Sequence, residues 1–342
     1  MGSYLSPIIP RVTIGLRGVA GKTIAVDALN SIYQFLALVR GRNGEPLKRS
    51  DGRITSHLVG IAFRYSKLLV DYSCKFVFVF DGPPLSLKHD ELEKRRKIRE
   101  KAEKEFYELL RQGLFDKAFS KAVIAVKVDE WVVESSKKLI SLMGWPIVEA
   151  PHDAEAQAAY LVSRGDAWAV ATLDWDALLY GSPRMVRYLT ITGAEWLPSK
   201  GQARKLEPEL VELEDTLRRL GITRRQLVEI AVLVGTDYNQ GVWGVGPKKA
   251  LRLIKTYGSI DRLPESIRRE IPGYEEIINI FMNPPIRENY KLEFREPDYD
   301  GLERFLVEEN DFSEERVRTL VERLRQAWEN RFQTSLDFFG GG

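Results

Sequence analysis

The segment from residue 144 to residue 181 most strongly constrains the fold of this chain: GWPIVEAPHDAEAQAAYLVSRGDAWAVATLDWDALLYG. WPIVEA and AWAVAT are short apolar runs, typical of inner strands of a parallel sheet, and AEAQAAYLVSRG between them predicts an amphipathic crossover helix. The predicted unit is therefore βαβ. Acidic side chains follow directly after both strands, namely Asp153, Glu155, Asp174 and Asp176.

Two further predicted strands also end in acids. Asp27 closes the apolar run of KTIAVDALN, and Asp81 closes that of KFVFVFDGPP. In open α/β sheets the functional crevice lies beyond the carboxyl ends of the strands, so these acids are expected to converge there. The alternative is that each acid only caps a helix or opens a turn.

Converging carboxylates need a counter-charge. Two like charges about 4 Å apart repel by about 4 kcal/mol at an effective dielectric constant near 20. The predicted ligands are all oxygens, with no cysteine or histidine pair at metal spacing, which favours Mg²⁺ or Mn²⁺ over zinc. The number of acids suggests two ions.

Composition bounds the class of protein. The 342 residues are 44% hydrophobic, enough for one large or two modest domains, and Cys74 is the single cysteine, which excludes a disulfide framework. We find no membrane-length apolar run and no secretion signal, so we expect a soluble intracellular protein. With 51 basic and 49 acidic residues, net charge decides nothing about nucleic acid.

Two features near the predicted acids suggest contacts with nucleic acid. The highly charged helical stretch after Asp81 places Lys88 and Arg95 about two turns apart on one face, where they would lean over the site and meet phosphate; the alternative is a solvated surface helix with ion pairs. Tyr33, in the helix after Asp27, is either a core residue or a platform for a stacked base.

The second half of the chain predicts a phosphate-binding hairpin. RMVRYLTIT predicts one more strand, after which we expect the sheet to end. Two apolar helices then flank GVGPKKA, where Gly244 and Gly246 let backbone amides approach a phosphate and Lys248 and Lys249 follow. This is typical of helix–hairpin–helix modules that grip DNA without reading bases. Asp237, just upstream, adds a seventh carboxylate.

Taken together, the motifs resemble a known family. VDALNSIYQFL, VFDGPP, EAPHDAEAQAAYL, ATLDWDALLYGSP and LVGTDYNQGVWGVGPKKAL, in this order, are similar to the structure-specific 5′ nucleases, above all the flap endonucleases of archaea and eukaryotes. The resemblance runs from Lys22 to about Leu263. It implies an α/β fold with a mostly parallel central sheet flanked by helices (a PIN-like 5′ nuclease fold), a helical arch insertion and a helix–hairpin–helix region.

The resemblance also implies a monomer, cytoplasmic in an archaeon or nuclear in a eukaryote, and a division of the chain. The expected parts are an N-terminal nuclease region (1–99), a helical arch or clamp insertion (82–128), an internal nuclease region (117–259) that includes the helix–hairpin–helix (223–263), a C-terminal helical region (264–330) and a sliding-clamp-binding tail (331–342).

Residue roles follow from the same resemblance. Two Mg²⁺ ions, which Mn²⁺ can replace, would be held by the seven acids Asp27, Asp81, Asp153, Glu155, Asp174, Asp176 and Asp237. Lys88 and Arg95 would polarise the scissile phosphate, and Tyr33 would stack on the substrate. A K⁺ ion would sit at the hairpin, near the carbonyls of Gly241 and Val242. In the tail, a peptide that binds the sliding clamp (PCNA) would use Gln333, Leu336, Phe338 and Phe339.

Three positions depart from the family pattern. Asp153 stands where the family has Glu, so its carboxylate is one methylene shorter. The segment before Lys22 matches poorly, although Gly2 after Met1 matches the family's usual start, whose amino end lies near the active site. The tail aromatics come one residue early.

The predicted function is Mg²⁺-dependent hydrolysis of DNA at the base of 5′ flaps, in replication (Okazaki fragment maturation) and repair, with 5′–3′ exonuclease activity. The alternatives are a 5′ exonuclease or four-way-junction resolvase of the same superfamily, or a non-catalytic DNA-binding, clamp-associated protein. The enzyme is favoured because carboxylates repel the phosphates that a mere binder would hold.

Overall fold

The computed structural model describes residues 3–41, 45–83, 97, 101, 105, 128–191, 194–197 and 202–339. Most of the predicted arch insertion (82–128), including Lys88 and Arg95, lies outside these residues. Within the described part of the chain, no helix is long and apolar enough to cross a membrane.

A seven-stranded sheet forms the centre of the fold, in the order β1-β9-β6-β5-β2-β3-β4. Its strands and those of a separate hairpin (β7 and β8) are β1 Val12–Thr13, β2 Thr23–Asp27, β3 Lys75–Phe80, β4 Ile147–Glu149, β5 Ala169–Ala171, β6 Arg184–Arg187, β7 Ala194–Leu197, β8 Gln202–Lys205 and β9 Glu209–Glu212. The five strands β6, β5, β2, β3 and β4 run parallel. The prediction of a mostly parallel sheet is therefore confirmed.

Helices cover both faces of the sheet and extend beyond it. In the described residues they are α1 Ala28–Leu38, α2 Ser56–Val59, α3 Ser66–Tyr72, α4 Glu130–Leu142, α5 Ala154–Arg164, α6 Asp176–Leu179, α7 Leu213–Leu220, α8 Arg224–Val234, α9 Pro247–Tyr257, α10 Glu265–Arg268, α11 Tyr274–Met282, α12 Tyr299–Glu303 and α13 Glu314–Phe339. Wider π-helical turns occupy Gly60–Tyr65 and Arg304–Glu308.

The expectation that the sheet ends after RMVRYLTIT is wrong. Strand β9 pairs antiparallel with β6, with Val186 opposite Leu210, and β1 pairs antiparallel with β9. The sequence ELVE does not predict a strand, because its apolar run is short and begins with Glu209. That glutamate is almost fully buried in the structure. An ion pair with Arg187, at 3.4 Å, offsets the cost of burying that carboxylate.

The predicted βαβ unit is present, but its two strands are not neighbours in the sheet. Strands β4 and β5 are parallel and α5 connects them, but β2 and β3 lie between them in the sheet. Helix α5 therefore crosses one face of the two inner strands. The strand ends of all four carry the predicted acids.

Alternation along β3 separates two layers of core. Phe76 and Phe78 face one side, where Tyr65 packs edge-on against both rings at 4.8 and 5.0 Å. Val77 and Val79 face the other side, in a cluster with small residues of α5. Because successive strand residues point to opposite faces, the run KFVFVF fits a strand covered on both sides.

A second core supports the hairpin region. Helices α8, α9 and α11 meet α6 around buried side chains that include Leu227, Ile254 and Phe281. Arg224, at the start of α8, donates hydrogen bonds to the carbonyls of Leu179 (3.0 Å) and Phe281 (2.6 Å). These bonds tie the ends of α6 and α11 to α8.

Gly82 allows the end of β3 to approach the chain that follows β4. Its N–H donates to the carbonyl of His152 at 2.7 Å, and a Cβ at this position would lie 2.3 Å from the Ala150 carbonyl oxygen. Only glycine fits such a contact without movement of backbone. Gly82 thus lets the residues next to Asp81 and Asp153 pack in direct contact.

We expect Gly82→Ala to lower the free energy of unfolding by about 1–3 kcal/mol, because the methyl group must push the two chain segments apart. Urea denaturation measures this. Gly246→Ala is the matched control, since a Cβ at Gly246 meets nothing within 4 Å. Equal stability of the two variants would show that residues 150–152 relax without cost.

Candidate metal centre and nucleic-acid interface

The predicted acids lie at one edge of the sheet. Asp27 is the last residue of β2, Asp81 directly follows β3, and Asp174 follows β5 after two residues. Because these strands are parallel and in register, their carboxyl ends meet at the same edge.

Asp27 is buried and held by two donors. Its Oδ1 accepts from the backbone N–H of Asn30 and its Oδ2 from the Thr172 hydroxyl, both at 3.0 Å. Burial, followed by the charge of Asp81, raises the pKa of Asp27 to about 7. A weaker contribution in the same direction comes from Asp174.

Asp176 is the second buried acid of the group. Its Oδ1 accepts from the backbone N–H of Ser3 at 3.1 Å. Burial, followed by the charges of Asp174 and Asp237, raises its pKa well above the ordinary range. The N-terminal segment therefore reaches the acidic edge, as the family's usual start implied.

The remaining acids of the edge are more accessible. Asp81 is exposed, and its Oδ1 accepts from the N–H of Ala154 at the start of α5, at 2.7 Å. Glu155, Asp174 and Asp237 are half-buried. Asp174 acts electrostatically on both buried acids, so it joins the pair Asp27 and Asp81 to the pair Asp176 and Asp237.

Asp153 is held by side-chain hydroxyls, whereas Asp27, Asp81 and Asp176 each accept from a backbone N–H. It is buried, and the hydroxyls of Tyr180 and Tyr238 both donate to its Oδ2. The two hydroxyl oxygens lie 3.0 Å apart. Each tyrosine therefore directs its single proton at the same carboxylate oxygen.

The donor set fits a hard divalent cation, because carboxylates that raise each other's pKa are stabilised by such a charge. As the side chains stand in the described part of the chain, no three acidic, cysteine or histidine residues form a group that could hold an ion. The structure thus brings the acids to one edge without closing a chelate.

Tyr33 and the glycine hairpin both lie close in sequence to acids of this edge: Tyr33 follows Asp27, and the hairpin follows Asp237. The Tyr33 side chain, on α1, is 36% exposed, which does not fit a core role. The hairpin connects α8 and α9: Gly244 has a φ of 69°, and Gly246 precedes the first turn of α9. Lys248 and Lys249, in that turn, are exposed.

The structure does not describe the side chains of two groups of predicted residues. Lys88 and Arg95 are outside the described residues. In the tail, the chain path is described as the last part of α13, which includes Gln333, Leu336, Phe338 and Phe339. Their roles stay predictions.

Comparison with known proteins decides the family. The XPG N-terminal domain matches residues 5–102, and the XPG I-region matches residues 144–237. Flap endonuclease 1 of Archaeoglobus fulgidus is 48% identical over 326 residues, covering 95% of this chain and 96% of that protein. Flap endonuclease 1 of Pyrococcus abyssi is 48% identical over 338 residues, covering 98% of each.

The chain belongs to the flap endonuclease family. Among solved structures, flap endonuclease-1 from Methanococcus jannaschii is similar, with a TM-score of 0.77 and 36% identity over 96% of this chain and all of that one. The predicted resemblance is confirmed, and so is the mostly parallel sheet flanked by helices. The helical arch and the helix–hairpin–helix stay predictions.

Four further residues contact the acids of this edge, and the sequence did not predict them: Ser3, Thr172, Tyr180 and Tyr238. Thr172 sits between β5 and Asp174, so its position at a strand end was a usable indication. Tyr180 and Tyr238 each follow an acidic motif of the flap endonuclease family, but no local pattern indicates that both face Asp153. Contacts between distant segments of this kind are visible only in the fold.

The raised pKa of Asp27 predicts a pH dependence of stability in the metal-free protein. A carboxyl whose pKa is higher in the folded than in the unfolded state favours folding at low pH, and that contribution is lost as pH rises from about 4 to about 7. Each tenfold difference in proton affinity between the two states corresponds to about 1.4 kcal/mol. Asp27→Asn is expected to reduce the loss of unfolding free energy between pH 5 and pH 8 by about 1–2 kcal/mol.

Urea denaturation in EDTA at pH 5, 6, 7 and 8 measures this. Asp71→Asn is the control, since Asp71 is exposed and forms a surface pair with Lys67. If Asp27→Asn keeps the full loss seen in the parent protein, the acidic edge is not strained by burial and repulsion.

Proposed function

We propose that this protein is a Mg²⁺-dependent structure-specific nuclease that hydrolyses a phosphodiester at the base of 5′ flaps. The observation that carries the proposal is the convergence of carboxylates at the carboxyl ends of parallel strands, in a chain of the flap endonuclease family. The same site supports 5′–3′ exonuclease cleavage, because a recessed 5′ end presents the same phosphate.

The proposed ligands are the acids of this edge: Asp27, Asp81, Asp153, Glu155, Asp174, Asp176 and Asp237. Bound divalent ions would supply a water nucleophile at neutral pH and stabilise the leaving oxygen. The protein's own contribution is to place the carboxylates: backbone N–H groups of Asn30, Ala154 and Ser3 each fix one of them. Lys88 and Arg95 are proposed to polarise the phosphate.

We propose that the hairpin binds the phosphate backbone of duplex DNA. Pro247 at the first position of α9 has no N–H to donate, and Gly246 before it leaves space for an anion at the helix N-terminus. Lys248 and Lys249 would pair with phosphates without base readout. Tyr33, exposed on α1, would stack on a base beside the cut.

A K⁺ ion is proposed where the chain enters the hairpin from α8. Gly241 packs closely on the end of α8, where a Cβ would lie 2.4 Å from the Val234 carbonyl carbon. The N–H of Val242 donates to the Leu233 carbonyl at 2.9 Å. These contacts place Gly241 and Val242 against the last turn of α8, and main-chain carbonyl oxygens are suitable ligands for a monovalent cation.

We expect Asp174→Asn and Asp81→Asn to reduce flap cleavage to background while DNA binding is retained or strengthened, since each removes a carboxylate that faces phosphate. End-labelled 5′-flap, nicked, blunt and four-way substrates, incubated with and without Mg²⁺, measure cleavage; fluorescence anisotropy in Ca²⁺ measures binding. Asp71→Asn is the control for surface charge.

The substrate panel also separates the alternatives. Preferential cutting of the four-way substrate would favour a resolvase, and preferential cutting of blunt or nicked ends would favour an exonuclease. Near-normal flap cutting by either Asp variant would exclude the proposed metal site. Absence of cutting on every substrate would favour a non-catalytic DNA-binding protein.

Side chains of increasing size at Gly246 test the proposed contact of the hairpin with phosphate. Gly246→Ala and then Gly246→Val are expected to weaken binding of every duplex-containing substrate, by about tenfold for Val, which corresponds to about 1.4 kcal/mol. The fold should be unaffected, because Gly246 has a φ of −90° and its Cβ would meet nothing within 4 Å.

Intrinsic fluorescence gives a local readout of the same contact. Trp243 is 91% exposed and lies three residues before Gly246, so its emission should change when duplex DNA binds. Subtracting the spectrum of Trp243→Phe isolates that change. Unaltered duplex affinity in Gly246→Val would assign GVGPKKA to a structural turn.

The tail is proposed to bind a sliding clamp of the PCNA type through Gln333, Leu336, Phe338 and Phe339. Deleting residues 333–342 is expected to leave flap cutting by the isolated protein unchanged and to remove its stimulation by the clamp. Calorimetry of the tail peptide against the clamp, beside a Phe339→Ala peptide, measures the contact. Equal binding by both peptides would exclude the motif.

A further inference from the structure

Two tyrosine hydroxyls converge on the one acid that departs from the family pattern. Tyr180 and Tyr238 both donate to Oδ2 of Asp153, Tyr238 at 2.5 Å. Their oxygens are 3.0 Å apart, so a phenol proton from each side secures a single carboxylate oxygen. The side chain of Asp153 is thereby fixed in rotation.

The two hydroxyls are held in place by packing that does not involve Asp153. The rings of Tyr180 and Tyr238 lie 4.9 and 5.6 Å from the ring of Phe281, which is fully buried. Phe281 belongs to α11, and its carbonyl accepts from Arg224 at 2.6 Å. Removing either hydroxyl alone leaves this aromatic cluster intact.

We propose that Tyr180 and Tyr238 are positioning residues for Asp153, and that they compensate for a carboxylate one methylene shorter than the Glu of the family. This inference rests on the proposed metal site and deepens it. An aspartate reaches about 1.5 Å less far than a glutamate. A short ligand contributes only if it is held in one orientation, and groups that hydrogen-bond a ligand from behind provide that restraint.

The same contacts explain how the two hydroxyls suit Asp and not Glu. The hydroxyls of Tyr180 and Tyr238 meet the carboxylate where an aspartate places it, and a glutamate would place its carboxylate one methylene further along the side chain. The effect of lengthening residue 153 should therefore reverse sign when the hydroxyls are absent. A purely structural role for the tyrosines gives no such reversal.

The first measurement uses metal binding without DNA. The variants are Tyr180→Phe, Tyr238→Phe and the double variant, titrated with Mn²⁺ by calorimetry and with Mg²⁺ by the shift in melting temperature. We expect the apparent dissociation constant to rise about threefold to tenfold for each single variant and about tenfold to a hundredfold for the double variant.

Tyr274→Phe is the matched control. The Tyr274 hydroxyl, on α11, donates to Asp261 at 2.7 Å, and Tyr274 is buried. It tests the loss of a tyrosine–carboxylate bond away from the acidic edge. If Tyr180→Phe and Tyr238→Phe raise the dissociation constant no more than Tyr274→Phe does, the proposal is overturned.

The second measurement is a cycle with Asp153→Glu. In the parent protein this substitution should weaken metal binding, whereas in the Tyr180→Phe/Tyr238→Phe background it should restore binding to within about threefold of the parent. Equal effects of Asp153→Glu in both backgrounds would overturn the proposal, even if the double variant folds poorly, because the comparison is made within that background.

Failure of the proposed function is recognised separately. Asp174→Asn must abolish the metal-dependent rise in melting temperature that the parent protein shows. A parent protein that binds no metal would overturn both the metal site and this inference. A parent that binds metal, together with tyrosine variants that match the control, would overturn this inference alone.

Discussion

Electrostatic repulsion among carboxylates at one sheet edge is the constraint on which the rest of the structure depends. The fold places Asp27 and Asp176 in buried positions where the loss of water, and after it the charges of neighbouring acids, raise both pKa values. Asp27 is partly stabilised by the backbone N–H of Asn30, in the first turn of α1, and Asp176 by the backbone N–H of Ser3, in the N-terminal segment. Because these donors are fixed in the fold, the acids remain close even when nothing neutralises them.

The parallel strands and the acids at their ends were predictable because both are local. An apolar run such as KFVFVF specifies a strand by its own alternation, and an acid that follows it is fixed by chain connectivity. Strand β9 was missed because its buried Glu209 is neutralised by Arg187, 22 residues away. A pattern confined to neighbouring residues carries no information about such a partner.

The surroundings of Asp153 were unpredictable for the same reason. Its hydroxyl partners come from positions 27 and 85 residues further along the chain. The departure from the family's glutamate was visible in the sequence, and so were the two tyrosines. Their relation depends on the packing of Phe281 between α6 and the loop after α8. Family resemblance supplies the ligand positions, and the fold supplies what supports them.

The loop from Gly235 to Gly246 has a consequence for where such an enzyme would cut. It carries Asp237 near one end and Gly246, which is proposed to face phosphate, at the other, within 12 residues whose ends are fixed to α8 and α9. The distance between the grip on the duplex and the acids is therefore set by a short piece of continuous backbone. In the proposed enzyme, the number of base pairs between the held duplex and the cleaved bond would follow from this fixed separation.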